Sequence, residues 1–316
     1  VGAMAERVVG AIIQVLLLLL LAPLVQGLIK KLKARLQNRL GANILQPYYD
    51  IFKYLRKMAV ISEHASWLTR VTPYLSFFTM LGAGLLLPIV WVDAPLSEVG
   101  DLVVFVYMFA LVRFFMALTA LDAGSAFGGM GSSREMALSA IAEPALFLAA
   151  IAVLLDSGTT QLGPVIENVV SQNLSWLNPA YGLAALAMLI VVIAETGRIP
   201  VDNPDTHLEL TMIHEGMLLE YSGRYLGLMV WAAHIKQLLI LTLFIDLFFP
   251  WGIAMELSPG ALALGAVAYL IKLFILSLFL ALIETAYAKI RLFQVPKLLV
   301  SSMALSLLAI IVGIAK

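Results

Sequence analysis

Seven carboxylates in this sequence stand where they could act on protons: Glu143, Glu195, Asp202, Asp205, Glu209, Glu215 and Glu220. Glu143 falls inside a hydrophobic run, Glu195 ends another, and the rest follow within 25 residues of Glu195. Carboxylates gathered at low dielectric raise one another's pKa, because like charges cannot all ionise cheaply. Neighbouring sites with pKa values near neutral can pass protons. An acidic, solvated loop would not, but Glu209 and Glu215 alternate with Leu208, Leu210, Met212 and Ile213, which argues for partial burial. Three cations, Arg113, Lys236 and Lys272, also lie deep in hydrophobic runs, and Asp246 lies near the end of one. A charge at the centre of a bilayer costs at least about 2.5–3.5 kcal/mol, so such residues face a partner, a polar cavity or an ion path. The structural alternative for the cations is an ion pair that locks helices together.

No self-contained catalytic centre is legible. His214-Glu215 begins like the H-E-x-x-H zinc motif, but its fifth position is Leu218. Gly128-Gly129-Met130-Gly131 has neither the lysine nor the preceding strand of a phosphate loop. His64, His207, His214 and His234 have no metal-ligand spacing. The sequence has no cysteine, so it ligates no iron–sulfur cluster through thiolates and forms no disulfide. Any electron transfer would reside in another polypeptide, and this chain is expected to be non-catalytic by itself, with no metal site.

The elements that must position these residues follow from composition. Of 316 residues, 62% are hydrophobic and 13% charged, against about 25% charged in a soluble domain. About 20 apolar residues suffice for a helix to cross the hydrocarbon core. Eight runs qualify: 8–29, 71–92, 101–121, 136–155, 179–196, 225–249, 260–283 and 298–315. The expected fold is an all-α integral membrane protein of about eight transmembrane helices, one polytopic membrane domain over 1–316. No polar segment is long enough to build a soluble core.

Charge gives the expected orientation. The gap after the first run holds nine basic residues, from Lys30 to Arg70. Arg134 lies in the third gap, Arg198 and Arg224 in the fifth, and Lys289, Arg291 and Lys297 in the seventh. The second, fourth and sixth gaps hold none. By the positive-inside rule the odd loops are cytoplasmic and both termini outside, in a multi-pass cell-membrane protein. Net charge is zero, so the basic loop faces anionic headgroups and not nucleic acid. The first run is too long for a signal-peptide core and is read as a retained span.

The loops add detail. Leu45, Tyr48, Tyr49, Ile51, Phe52 and Leu55 mingle with Lys53, Arg56 and Lys57, which predicts an amphipathic helix in the interface, with Pro47 near its start. The connection 156–178 has plain loop composition. Asn203 followed by Pro204 and Asp205 reads as a helix start, predicting a helix to Tyr221. On it Asp205, Glu209 and Glu220 would fall within about 60° of one another. The glycines from Gly128 to Gly131 are expected in a tightly packed border loop.

Several segments carry a family resemblance. Ala194-Glu195-Thr196-Gly197-Arg198-Ile199-Pro200-Val201-Asp202 resembles the A-E-T-x-R-x-P-x-D signature of the NuoH membrane subunit of complex I. Glu220-Tyr221-Ser222-Gly223 resembles its E-Y-S-G. Arg35, Arg39, Gly41, Asn43 and Leu45-Gln46-Pro47 resemble its first loop, and Glu143 after Arg134-Glu135 its helix glutamate. The likeness covers nearly the whole chain. Between Glu209 and Glu220 about three residues are added, and the stretch from Asp202 to Met212 looks more like the branch in group 4 membrane-bound NiFe hydrogenases, the MbhM-like subunits.

That resemblance implies a membrane-anchoring and coupling subunit of a multi-subunit hydrogenase. Its partners would be soluble NiFe-hydrogenase-like and iron–sulfur subunits and antiporter-like membrane subunits, with the NiFe centre and iron–sulfur clusters held by those partners. The seven carboxylates, with Lys236 and Lys272, would carry the coupling path to proton or sodium movement. Arg35, Arg39, Arg134 and Arg198 would face the redox arm, Arg198 holding its loop through carboxylate pairing. The alternatives are a complex I subunit with a quinone site, a sulfur- or formate-linked relative, a stand-alone ion transporter and a pure scaffold.

Overall fold

A backbone surrounded by hydrocarbon must satisfy its own N–H and C=O groups, so each long apolar run becomes a helix. The computed structural model describes residues 2–315 except 93, 98, 156, 172–177, 203–211 and 256–257. Among these residues the α-helices are α1 (Gly2–Leu36), α2 (Gln46–Arg56), α3 (Leu68–Leu86), α4 (Leu102–Asp122), α5 (Ala126–Leu154), α6 (Leu162–Ser171), α7 (Pro179–Glu195), α8 (Gly223–Phe248), α9 (Pro259–Ala286) and α10 (Val295–Ile314). Extended pairing among them is confined to two isolated bridges, Trp91 with Ala254 and Asp101 with Gln161.

The eight expected runs coincide with α1, α3, α4, α5, α7, α8, α9 and α10. Six of these are long and apolar enough to cross a membrane. Of the other two, α7 is an apolar helix of 17 residues and α3 has 19. The protein is an all-α integral membrane protein. Side-chain oxygens cap several helix starts: Asp101 accepts from Val103 N, Ser125 from Gly128 N, Asn178 from Ala180 N and Ser258 from Ala261 N. Each satisfies one of the donors that a helix N-terminus leaves orphaned.

Helix α8 is the axis of one half of the bundle. Its side chains from Gln237 to Phe248 are all buried, and it packs against α1, α2, α3 and α7. On the other side α5, α7 and α10 pack as a trio, and α4 lies against both α3 and α5. The amphipathic α2 is present as expected, Pro47 in its first turn. It buries Ile51 toward the bundle and leaves Tyr49 and Phe52 exposed. The Tyr48 hydroxyl donates to the carbonyl of Leu20 in α1, tying the interfacial helix to the first span.

Three loop expectations are corrected. Part of the connection 156–178 is helical, because Leu162, Val165, Ile166 and Val169 form an i, i+3, i+4, i+7 stripe, all buried. The glycines at 128, 129 and 131 lie inside α5, whose start Ser125 caps. They do pack tightly, since a β-carbon on Gly131 would lie 3.1 Å from backbone atoms of Ile213 and Gly216. The helix expected to reach Tyr221 is not α-helical where described. Glu215–Leu218 forms one 3-10 turn. Arg134 Nη1 donates to the Met212 carbonyl at 2.9 Å, an acceptor that an α-helical ladder would need. Asn203, Pro204, Asp205, His207 and Glu209 lie outside the described residues.

Candidate functional site

The buried charges gather into two clusters. The first is centred on Arg113, midway along α4. Its Nη1 donates to Glu143 Oε1 of α5, and its Nη2 to Glu195 Oε1 and Oε2 of α7 at 2.8 and 2.6 Å. Its Nε lies 3.3 Å from Glu135 Oε1. Lys236 Nζ of α8 reaches Glu195 Oε2 at 2.9 Å. Four helices therefore converge on one group of three carboxylates and two cations. Arg113 and Glu195 are almost wholly buried, while the Glu143 side chain keeps 31% of its exposure. Glu143 is the member with the most access, and Pro144 beside it withholds the N–H that would bond the carbonyl of Ala140.

The turn after α7 sets up the second cluster. Gly197 has φ +59°, Gly197 N bonds Ala194 O, and Arg198 N bonds Ile193 O. That is the Schellman ending of a helix, with glycine at the left-handed position. It leaves Glu195 on the last helical turn and swings Arg198 back into the bundle. Arg198 is 3% exposed. Its Nη1 donates to Glu284 Oε1 of α9 at 2.8 Å, and its Nη2 to Gln237 Oε1 at 2.8 Å and to Gln26 Oε1 of α1. Lys33 Nζ holds the other Glu284 oxygen at 3.1 Å, and Lys289 Nζ holds Asp202 Oδ1 at 2.6 Å.

A polar cavity of about 120 Å³ lies between the clusters, walled by Glu135, Glu195, Arg198, Asp202, His214 and Lys236. A smaller one of about 30 Å³ shares Glu135, Glu195, Asp202 and His214 and extends to Arg113. One water needs roughly 10–15 Å³ of such space, so several fit among polar partners.

Of the residues singled out from sequence, the structure brings together Glu143, Glu195 and Lys236, and sets Asp202 and Glu215 on the cavity wall. Glu220 is half-buried just before α8, and Asp205 and Glu209 lie outside the described residues. Lys272 stands apart. It donates to the carbonyls of Phe249 and Trp251 at 3.0 Å each, beyond the end of α8 and beside buried Asp246. Arg35 is exposed in the last turn of α1, Arg39 is exposed on the first loop, and Arg134 is half-buried in α5. Arg198 does pair with a carboxylate, but that carboxylate belongs to α9, and its burial removes it from any surface. Among the described residues no group of three His, Cys, Asp or Glu side chains could hold a metal ion.

Sequence reasoning misses Glu284, Gln26 and Gln237. Glu284 follows the apolar run 260–283 and reads as interfacial. A usable signal is its seven-residue spacing from Ser277, which puts both on one face of α9.

The Glu220-Tyr221-Ser222-Gly223 segment has a mechanical role. Ser222 Oγ accepts from Val60 N at 2.8 Å and donates to Val60 O at 2.9 Å, clasping the first loop. Gly223 has φ +52°, and a β-carbon there would collide with the Met58 carbonyl. Tyr221 is buried, which pushes its phenol up to about 12.

Comparison with known proteins agrees with this architecture. Formate hydrogenlyase subunit 4 of Escherichia coli (strain K12) is 36% identical over 300 residues, 95% of this chain and 96% of its own. Hydrogenase-4 component C of the same organism is 35% identical over 285 residues, 90% and 89% of the two chains. An NADH-quinone oxidoreductase subunit of Salinibacter ruber is 26% identical over 277 residues, 84% and 78%. A solved chain of the membrane-bound sulfane sulfur reductase, an archaeal respiratory membrane complex, has a TM-score of 0.84 over 98% and 99% of the two chains at 20% identity, a likeness of fold. The model of the NADH dehydrogenase family matches residues 9–314, and this protein belongs to that family.

Proposed function

We propose that this chain is the membrane-anchoring and coupling subunit of a multi-subunit membrane-bound hydrogenase. It would link electron transfer in a soluble arm to proton or sodium translocation. The observation that carries the proposal is the bridged cluster of Glu143, Arg113, Glu195 and Lys236, joined by a polar cavity to Asp202 at the loop end of the bundle. A pure anchor needs no such row of charges, each of which costs free energy to bury. Two relatives matched over nearly their whole length, a hydrogenase-4 component and a formate hydrogenlyase subunit, support this branch over the complex I one.

In this reading the basic loops face the cytoplasm, both termini lie outside, and the chain forms one membrane domain. Exposed Arg35 and Arg39, with Arg134, lie on the face toward the soluble arm. The partners are NiFe-hydrogenase-like and iron–sulfur subunits, which hold the NiFe centre and clusters, and antiporter-like membrane subunits. Glu143, Glu195, Asp202, Glu215, Glu220 and Lys236 relay a protonation or conformational change, with Asp205 and Glu209 completing the loop end. Replacing Glu143→Gln in the intact complex is the test. Hydrogen turnover by the soluble arm should persist while ion pumping into sealed vesicles is lost. Unchanged pumping in a fully assembled complex would refute the relay.

A further inference from the structure

The end of the bundle opposite the basic loops carries a cavity that the charge clusters do not use. It holds about 640 Å³, within the roughly 300–1,000 Å³ of small-molecule sites. One wall is α1 from Arg7 through Ile13 to Leu17. The others are the stretch after α3, with Trp91, and α9 at Leu262. Gln14 also lines it, but its Nε2 already donates to the carbonyls of Gly84 and Leu87, at 2.6 and 2.7 Å. Most of what remains along the wall is hydrocarbon.

Size and length select the occupant. Ten residues separate Arg7 from Leu17, about 15 Å along a helix. That is half of the ~30 Å hydrocarbon core, the depth of a single leaflet. A helix with its side chains is about 10–12 Å across, so 640 Å³ would admit little more than one turn of a partner's helix. An extended hydrocarbon chain fits both dimensions. Val9 and Ile13 on the wall are 55% and 53% exposed, so the cavity opens sideways to the bilayer. Trp91, a residue type enriched at membrane–water interfaces, lines the same cavity.

We propose that this cavity is a phospholipid site, one acyl chain lying along α1 between Arg7 and Leu17 and the phosphate at the level of Trp91. Gly10 offers a clean test, because it lines the cavity and a β-carbon built there meets nothing within 4 Å. The assembled complex, extracted in mild detergent, is examined by native mass spectrometry and phosphorus assay. Gly10→Phe should remove one retained phospholipid per chain, while Gly10→Ala keeps it. The same phospholipid count in wild type and in assembled Gly10→Phe would overturn the proposal. So would loss of a protein subunit from Gly10→Phe at unchanged lipid, which would mean that a partner covers this face.

Discussion

Arg113 of α4 and Lys236 of α8 meet on a single oxygen, Glu195 Oε2, at 2.6 and 2.9 Å. Glu195 thus bridges two cations on different helices, and removing its charge leaves them facing each other in a buried site. Breaking a buried pair from one side costs about 3–5 kcal/mol. Glu195→Gln should therefore lower the melting temperature of the purified protein markedly. Adding Lys236→Met should restore part of the loss, with a coupling of about 0.5–3 kcal/mol in a double-mutant cycle of thermal or denaturant unfolding. Strict additivity of the two changes would mean that the bridge contributes nothing.

The cluster at Arg198 makes a different prediction, because two of its three acceptors are neutral amides. Glu284→Gln keeps a hydrogen-bond acceptor for Arg198 but strips both Arg198 and Lys33 of their shared charge. A loss of roughly 2 kcal/mol is expected, in the range of hydrogen bonds to charged groups. Arg198→Lys should do at least as much damage, since one ammonium cannot reproduce a planar fork reaching Glu284, Gln26 and Gln237 together. Melting curves of the two variants in one detergent decide the order.

How much of this is legible in the sequence depends on how local each feature is. The spans and α2 can be read because hydropathy and one-sided patterning are properties of adjacent residues. The carboxylates and cations at 113, 143, 195 and 236 can be flagged because charge in an apolar run is conspicuous alone. Their pairings cannot be read, since Arg113 and Glu195 are 82 residues apart and meet only because α4 and α7 are brought together around α5. Glu284 escapes notice for the same reason. It looks interfacial until α1 and α9 pack and close Arg198 over it. In the fifth loop the helix-start signal at Asn203 lies outside the described residues, and the later part, a 3-10 turn packed on Gly131 and tied to Arg134 of α5, depends on contacts that no local signal carries.

Two glycines should respond unequally to alanine. At Gly197 nothing crowds an added β-carbon, so the penalty is that of the left-handed conformation, about 1–2 kcal/mol. At Gly223 the same conformational penalty is joined by a clash with the Met58 carbonyl. Gly223→Ala should be the more destabilising, and it should open the first loop to trypsin at Lys57, as should Ser222→Ala. Equal proteolysis of wild type and both variants would show that the clasp does not hold the loop.

Lys272 separates structure from coupling. Asp246, its charged neighbour, lies ten residues beyond Lys236 on α8, about 15 Å along the helix. Lys272→Met should leave the Phe249 and Trp251 carbonyls without their donor and lower stability, yet leave ion pumping per turnover intact. Pumping assays beside Glu143→Gln make the comparison. Loss of pumping in Lys272→Met at normal assembly would extend the path to that end.

The clasp of Ser222 on Val60 joins segments 162 residues apart in sequence, so the first and fifth loops form one solid piece at this junction. A surface already set in shape needs little ordering when another protein lands on it, and less of the contact energy is lost to immobilising it. Displacement of either loop would also be transmitted directly to the start of α8, the helix that carries Lys236.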